Sequence, residues 1–276
     1  MRTGFRSLAP VFMAALVLSS PALAQIHGPS TEGARSPEAR KAAAAAPKPA
    51  YDPHDVSGVW WGRGNDILMG NPVPAFTPLG QKMADANKPY AGPRAVAYLL
   101  ANDPITGCDP IGYPRIAYTN NRSFEFIQTA TKIVQIFEWT HGLREIWLDG
   151  RKIPEDLDPR WYGYAVGHWE GSTLVVDSGG YNEKTWLDRF GDPHSADMTL
   201  QERYAHPDAM TLQVTTTLSD PKVYTQPWVS AKPQPYQLQL PKGVTELEEV
   251  YCVPSEEDSF NESVRNAAGK YDPNAK

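Results

Sequence analysis

From Arg122 onward the sequence alternates. In "FEFIQTATKIVQIFEWTHGLREIWLDG", Phe124 and Phe126 share one parity and Ile133, Phe137 and Trp139 share another, with the turn-like "TATK" and "THG" between runs. A period of two puts successive side chains on opposite faces, so each run is a strand with one face to bury. "WYGYAVGHWEGSTLVVDSGGY" repeats the scheme around "WEGS", and "MTLQERYAHPDAMTLQVTTTLSD" repeats it around "AHPDA". "TELEEVYCV" reads as a late strand. Short strands joined by tight turns, with no helices interleaved, imply an all-β, antiparallel sheet that curls into a barrel or packs as a β-sandwich. The 26 prolines and 21 glycines among 276 residues fit that number of turns and exclude a long-helix protein.

An up-and-down barrel is preferred over the β-sandwich for one reason. The opening strand of "DVSGVWWGR", with Gly58 two residues before Trp60, followed by hairpins, resembles the lipocalin or calycin layout, in which a mid-sized barrel holds a small molecule. No repeat of fixed period is present, which argues against a propeller. One short helix is expected over Pro78 to Asn87, with Thr77 as cap and Pro78 at the first helical position. "ANDPITGCDPIGYPRI" carries too many turn residues to be anything but an ordered loop.

Residues 1–24 combine Arg2 and Arg6, the apolar run "APVFMAALVLSS" and the small ending "ALA", which is the layout of a cleaved secretory signal. Residues 25–53 read as a flexible leader, 54–254 as the barrel domain and 255–276 as a loose polar tail. Removing Arg2 and Arg6 leaves 24 basic against 32 acidic residues, a net charge of −8. Such a chain repels phosphate backbones, and no basic block offsets that, so nucleic acid is not an expected partner. No apolar run is long enough for stable membrane insertion. Both cysteines, Cys108 and Cys252, fall in the exported part, where a periplasmic or secreted protein oxidises its thiols, so one bridge is expected. Closing so long a loop removes roughly 4–5 kcal/mol of unfolded-chain entropy.

"CDPIGYPR" (Cys108 to Arg115), "GHWEGSTLVVDSGGYNEKTWLD" (Gly167 to Asp188) and "GDPHSADMTLQERY" (Gly191 to Tyr204) together resemble a family of secreted bacterial proteins of uncharacterised activity. The resemblance implies export and a shared site and names no reaction.

Parity selects site candidates. His168 shares a face with Tyr162, Tyr164 and Val166; Asp177 shares one with Thr173 and Val175; Glu202 shares one with Met198, Leu200 and Tyr204. If those faces line a barrel, three ionisable groups converge on one lumen, an arrangement suited to acid and base work. The alternative is that they bond to one another and hold the barrel together. The connection "GGYNEKTWLDRFGDPHS" adds Tyr181, Asn182, Lys184, Trp186, Asp188, Arg189 and His194. As a functional loop over the barrel mouth it makes Trp186 a lid or stacking surface and His194 a general base. As a structural loop it has Trp186 and Phe190 plugging the barrel end while Asp188 and Arg189 pair at the surface. Arg144, Lys184 and Arg189 are candidates to steady negative charge.

The expected function is binding of a small, partly apolar or aromatic molecule in the lumen, with cofactor-free acid–base chemistry of a lyase or isomerase (elimination, hydration or isomerisation) as its possible extension. One alternative is an envelope structural or interaction protein with a filled barrel. The two are separated by whether Gly163, Gly167, Gly179 and Gly180 leave space inside. A further alternative is a metal enzyme using His168, Asp177 and His194, although the chain has no close His-x-His or His-x-x-x-His pairing and no metal or other cofactor is expected. A serine nucleophile elbow and a glycine-rich phosphate loop are absent from the sequence.

Overall fold

The computed structural model describes residues 51–62, 72–118, 123–239 and 244–260. The expected signal segment, nearly all of the leader and residues 261–276 of the tail lie outside the described residues. Ten strands are formed: β1 Gly58–Trp61, β2 Ser123–Gln128, β3 Lys132–Phe137, β4 Leu143–Trp147, β5 Tyr164–Glu170, β6 Thr173–Gly179, β7 Thr199–Asp208, β8 Thr211–Ser219, β9 Trp228–Val229 and β10 Gln234–Leu238. They pair in the order β10-β1-β2-β3-β4-β5-β6-β7-β8, and β10 also pairs with β8, which closes a nine-strand barrel and leaves β9 as an extra strand on β8.

Closure explains a departure from the expected topology. A ring with an odd number of strands cannot alternate direction at every step, so at least one neighbouring pair must be parallel. That pair is β4 and β5, with Ile146 opposite Ala165 and Trp147 opposite Val166. The purely antiparallel up-and-down arrangement is therefore corrected to a mixed barrel. A parallel pair cannot be joined by a hairpin, and residues 148–163 supply the crossover. Strand direction also sorts the connections by end. The tight turns 129–131, 171–172 and 209–210 share one end, while β1 ends and β2 begins at the other, together with the long connections 180–198 and 220–233.

The inner faces carry the core: Phe124 and Phe126, Ile133 and Phe137, Ile146, Leu174 and Val176, Leu200 and Tyr204, Leu212, Val214 and Leu218, with Trp60 and Tyr236. Each such side chain contributes about 1.5–3 kcal/mol by leaving water. β8 shows the pattern at its cleanest, with every second residue from Leu212 to Leu218 buried.

The helix α1 spans Pro78–Ala86, and the Thr77 hydroxyl accepts from the Gly80 amide at 3.0 Å, as a capping residue does. Two more short helices, α2 Arg115–Tyr118 and α3 Pro254–Phe260, stand where an ordered loop and the edge of a loose tail were expected. "TELEEVYCV" is not a strand: Val250 makes an isolated bridge to Trp139 and little more. The last strands are instead β9 and β10, in a segment dense with proline, where Pro235 stands opposite Gln213. The turn expected over "AHPDA" is narrower, since β7 runs on to Asp208 through an irregularity between Ala205 and Asp208. Cys108 and Cys252 form a disulfide.

Candidate functional site

A charged belt crosses the otherwise apolar lumen. Arg144 on β4 donates through Nη2 to Glu202 Oε2 on β7 at 2.5 Å and to Ser178 Oγ on β6 at 3.2 Å, and through Nη1 to Gln135 Oε1 on β3 at 3.3 Å. Tyr204 donates its hydroxyl to Glu202 Oε1 at 2.6 Å, and the Tyr113 hydroxyl donates to the same oxygen. The Arg144 guanidinium carbon also lies 3.9 Å from the centre of the Tyr113 ring. All of these groups are buried. Burial works against the Arg144 charge, but Glu202 outweighs it and the guanidinium is held charged well beyond its ordinary range. Burial likewise pushes the Tyr113 and Tyr204 hydroxyls well above the usual phenol range, so both remain neutral donors.

Tyr113 reaches the belt from outside the barrel wall. The segment 108–118 inserts Ile111, Tyr113, Ile116 and Tyr118 into the end with the long connections, and the Tyr118 hydroxyl meets Thr216 Oγ1 at 2.6 Å. Three devices pin this plug. Cys108 is bonded to Cys252; Arg115 makes two bonds to buried Asp103, at 2.8 and 2.7 Å; and Gly112, at φ 77°, lies so close to Thr185 that a Cβ would come within 2.5 Å of its side chain. A positive φ and that contact both demand glycine there.

The connection 180–198 packs over the same end, but as core rather than lid. Thr185 through Asp188 and Gly191 through Ser195 are all buried, and Trp186 is only 6% exposed. His194, expected as a general base, is 1% exposed; its Nε2 meets Thr185 Oγ1 at 2.8 Å and its Nδ1 meets the Ser195 carbonyl at 3.2 Å. Burial lowers its pKa, so the ring stays neutral with both nitrogens occupied. Tyr181 bonds to Ser178 at 2.7 Å, which links this connection to the belt. Asn182 caps a local turn by accepting from the Lys184 amide, and the Lys184 ammonium is exposed, 5.7 Å from the Trp161 ring. Arg189 lies over Phe190.

Asp188 is not the surface partner of Arg189. It is buried beside Asp192, with Oδ1 accepting from the Phe190 and Asp192 amides and no donor reaching Oδ2. Arg94 pairs with Asp192 at 3.0 Å. Burial and the neighbouring Asp192 charge raise Asp188 to about 8, so near neutral pH it holds a proton and can donate to Asp192. Asp192 is raised too, by burial, with Asp188 and Arg94 pulling it back. Because the folded value of Asp188 exceeds that of a solvated aspartate, folding takes up a proton between about pH 4 and pH 8, and stability falls as pH rises through that window. Asp188→Asn keeps the donor without the titration. It is expected to flatten most of this slope and to stabilise the protein at pH 8 by on the order of 2–4 kcal/mol, read from urea unfolding at pH 5 and pH 8. An unchanged slope would remove the shared proton from the description.

The expected convergence of His168, Asp177 and Glu202 is corrected: only Glu202 faces the lumen. The parallel register places Ala165 and Gly167 inside with Ile146, so His168 turns outward with Tyr164 and Val166. Its side chain is 56% exposed and its Nε2 lies 3.2 Å from Glu170 Oε1. Asp177 sits opposite Gln201 on the outer face and accepts from it at 3.0 Å. Tyr164 lies outside too, beneath Arg160 and near Arg151. Tyr162 is half-buried, stacked on Phe137 at 6.1 Å. His168, Asp177 and His194 therefore do not meet. Among the described residues, no three His, Cys, Asp or Glu side chains group as a metal site.

Three residues of the belt escaped sequence analysis: Tyr113, Gln135 and Ser178. Gln135 and Arg144 were legible by parity, since Gln135 lies between Ile133 and Phe137 and Arg144 two residues before Ile146. Arg144 was expected only as a cation that steadies negative charge, not as the partner of Glu202. Tyr113 had no periodic signal at all. No family model, curated protein or solved structure matches the chain.

Proposed function

We propose that the protein is an exported barrel that binds a small, partly apolar or aromatic organic molecule in its lumen. The observation that carries this reading is the Arg144–Glu202 pair deep inside an apolar barrel. Such a pair stabilises a fold little relative to an apolar filling, so its presence supports a recognition task. Export draws support from the disulfide and from the signal-like first 24 residues, and the motif resemblance to secreted bacterial proteins is in keeping with it. No helix among the described residues is long and apolar enough to cross a membrane.

Acid–base turnover has less support than binding. His168 and Asp177 face outward, His194 has both nitrogens engaged, and each Glu202 oxygen already accepts a bond. The rival reading, an envelope interaction protein with a filled barrel, is favoured by the glycines. The space beside Gly163 is taken by Tyr181, beside Gly167 by Ile146 and Leu148, and beside Gly180 by Leu157, with only Gly179 in ordinary contact. Titration of the oxidised protein with Nile red separates the two. Saturable one-to-one uptake is expected, abolished by Val214→Trp, which fills the inner face of β8. Lack of uptake by the parent protein would favour the filled barrel.

A further inference from the structure

Resting on the lumen-binding reading, we infer that the guest is a neutral molecule presenting a carbonyl-type oxygen, and that Arg144 Nε and Gln135 Nε2 receive that oxygen. The two residues are cross-strand partners on β3 and β4, with Gln135 fully buried and Arg144 2% exposed. Gln135 turns its carbonyl oxygen to Arg144 Nη1, which leaves its NH2 group as the uncommitted end of the amide. Arg144 uses Nη1 and Nη2 on Gln135, Ser178 and Glu202, and its Nε bonds to nothing. Gln135 Nε2 is also without a partner. Buried donors nearly always find acceptors, so two spare donors on bonded neighbours call for one shared oxygen.

Charge accounting then selects the class of guest. The positive charge of Arg144 is already balanced by Glu202 at 2.5 Å, and the surrounding tyrosines are neutral donors. A carboxylate or phosphate guest would bring a second negative charge into a buried site with one positive charge, at a large desolvation cost. A cationic guest would find both Glu202 oxygens occupied. What remains is a neutral acceptor: a ketone, ester, amide or quinone oxygen on an apolar or aromatic body, facing the rings of Tyr113, Phe137 and Tyr162.

Three probes of one shape test this: 2-acetylnaphthalene, 2-ethylnaphthalene and 2-naphthoate, each titrated into the mature oxidised protein by calorimetry. The ketone is expected to bind about tenfold more tightly than the hydrocarbon, with the carboxylate weakest. Gln135→Met removes one of the two donors and is expected to cut the ketone's advantage over the hydrocarbon severalfold, and if that variant does not fold, the parent ratios decide alone. Equal affinity for ketone and hydrocarbon, tightest binding by naphthoate, or an unchanged preference in Gln135→Met overturns the inference while leaving lumen binding intact. Binding of none of the three overturns both.

Discussion

Arg144→Met is expected to destabilise the fold by about 3–5 kcal/mol, because it strands the Glu202 carboxylate in an apolar interior. Tyr113 and Tyr204 would still donate to Glu202, but neither supplies the compensating charge that Arg144 supplies at 2.5 Å. The double variant Arg144→Met/Glu202→Leu removes both charges and is expected to regain at least half of that loss. Full recovery is not expected, since the Tyr113 and Tyr204 hydroxyls lose their acceptor and, 3.3 Å apart, can bond only to each other. Urea unfolding of the parent, single and double variants measures the difference. Equal losses in the single and double variants would show that packing, rather than charge pairing, is what the belt contributes. The double variant also separates stability from recognition: a folded double variant that still takes up Nile red but no longer prefers 2-acetylnaphthalene would tie the selectivity to the belt.

The belt unites elements that are far apart in the chain. Gln135 and Arg144 come from one hairpin, Ser178 and Glu202 from the neighbouring strands β6 and β7, and Tyr113 from the inserted plug. Barrel closure brings the two strand pairs together across the lumen, and the plug completes the set of donors to Glu202. The carboxylate is thus a meeting point of wall and plug, and the Tyr113 ring covers the Arg144 guanidinium at 3.9 Å. On the lumen-binding reading, that makes the hold on segment 108–118 a determinant of access as well as of stability.

The strands were readable wherever one face was apolar and the other polar, as in "TLQVTTTLS", because a period of two is a direct consequence of the pleat. β5 misled for a physical reason. Its outward side chains, Tyr164 and Val166, are larger than its inward ones, Ala165 and Gly167, because Ile146, Leu148 and Leu174 fill the inside at Gly167. Hydrophobicity therefore pointed to the wrong face, and a single-residue inversion carried His168 with it. On β6 the buried run Leu174–Val175–Val176 gave no alternation to decide the face of Asp177. A closed barrel was expected and is present, but the strand that closes it was not legible, since β10 contains proline, and the parallel pair is a property of the ring rather than of any one segment. The mouth connection failed in a related way. Its polar side chains, Thr185, Asp188, Asp192, His194 and Ser195, read as a solvated functional loop, whereas each is buried with a partner: Thr185 and His194 meet each other, Asp188 accepts from two backbone amides, Asp192 pairs with Arg94, and Ser195 donates to Asp220.

Removing the disulfide, by Cys108→Ser/Cys252→Ser, is expected to cost about 5 kcal/mol, the loop-entropy value for a closed loop spanning a sequence separation of 144 residues. The effect should not be uniform. The bridge ties the plug to the segment that pairs Val250 with Trp139, while the barrel strands keep their ladders. Hydrogen exchange is therefore expected to accelerate first at the amides of Cys108, Tyr113 and Thr140, which donate to the Ile105, Trp161 and Val250 carbonyls, and only later in β7 and β8. Loosening the plug also weakens the Tyr113 contact to Glu202, so uptake of 2-acetylnaphthalene should become faster even as the protein becomes less stable. Arg115 and Asp103 still hold one side of the plug, which limits the change to opening rather than loss of the segment. Uniform acceleration of exchange across plug and barrel alike, with no change in uptake rate, would make the bridge a general brace and remove segment 108–118 from the route to Arg144.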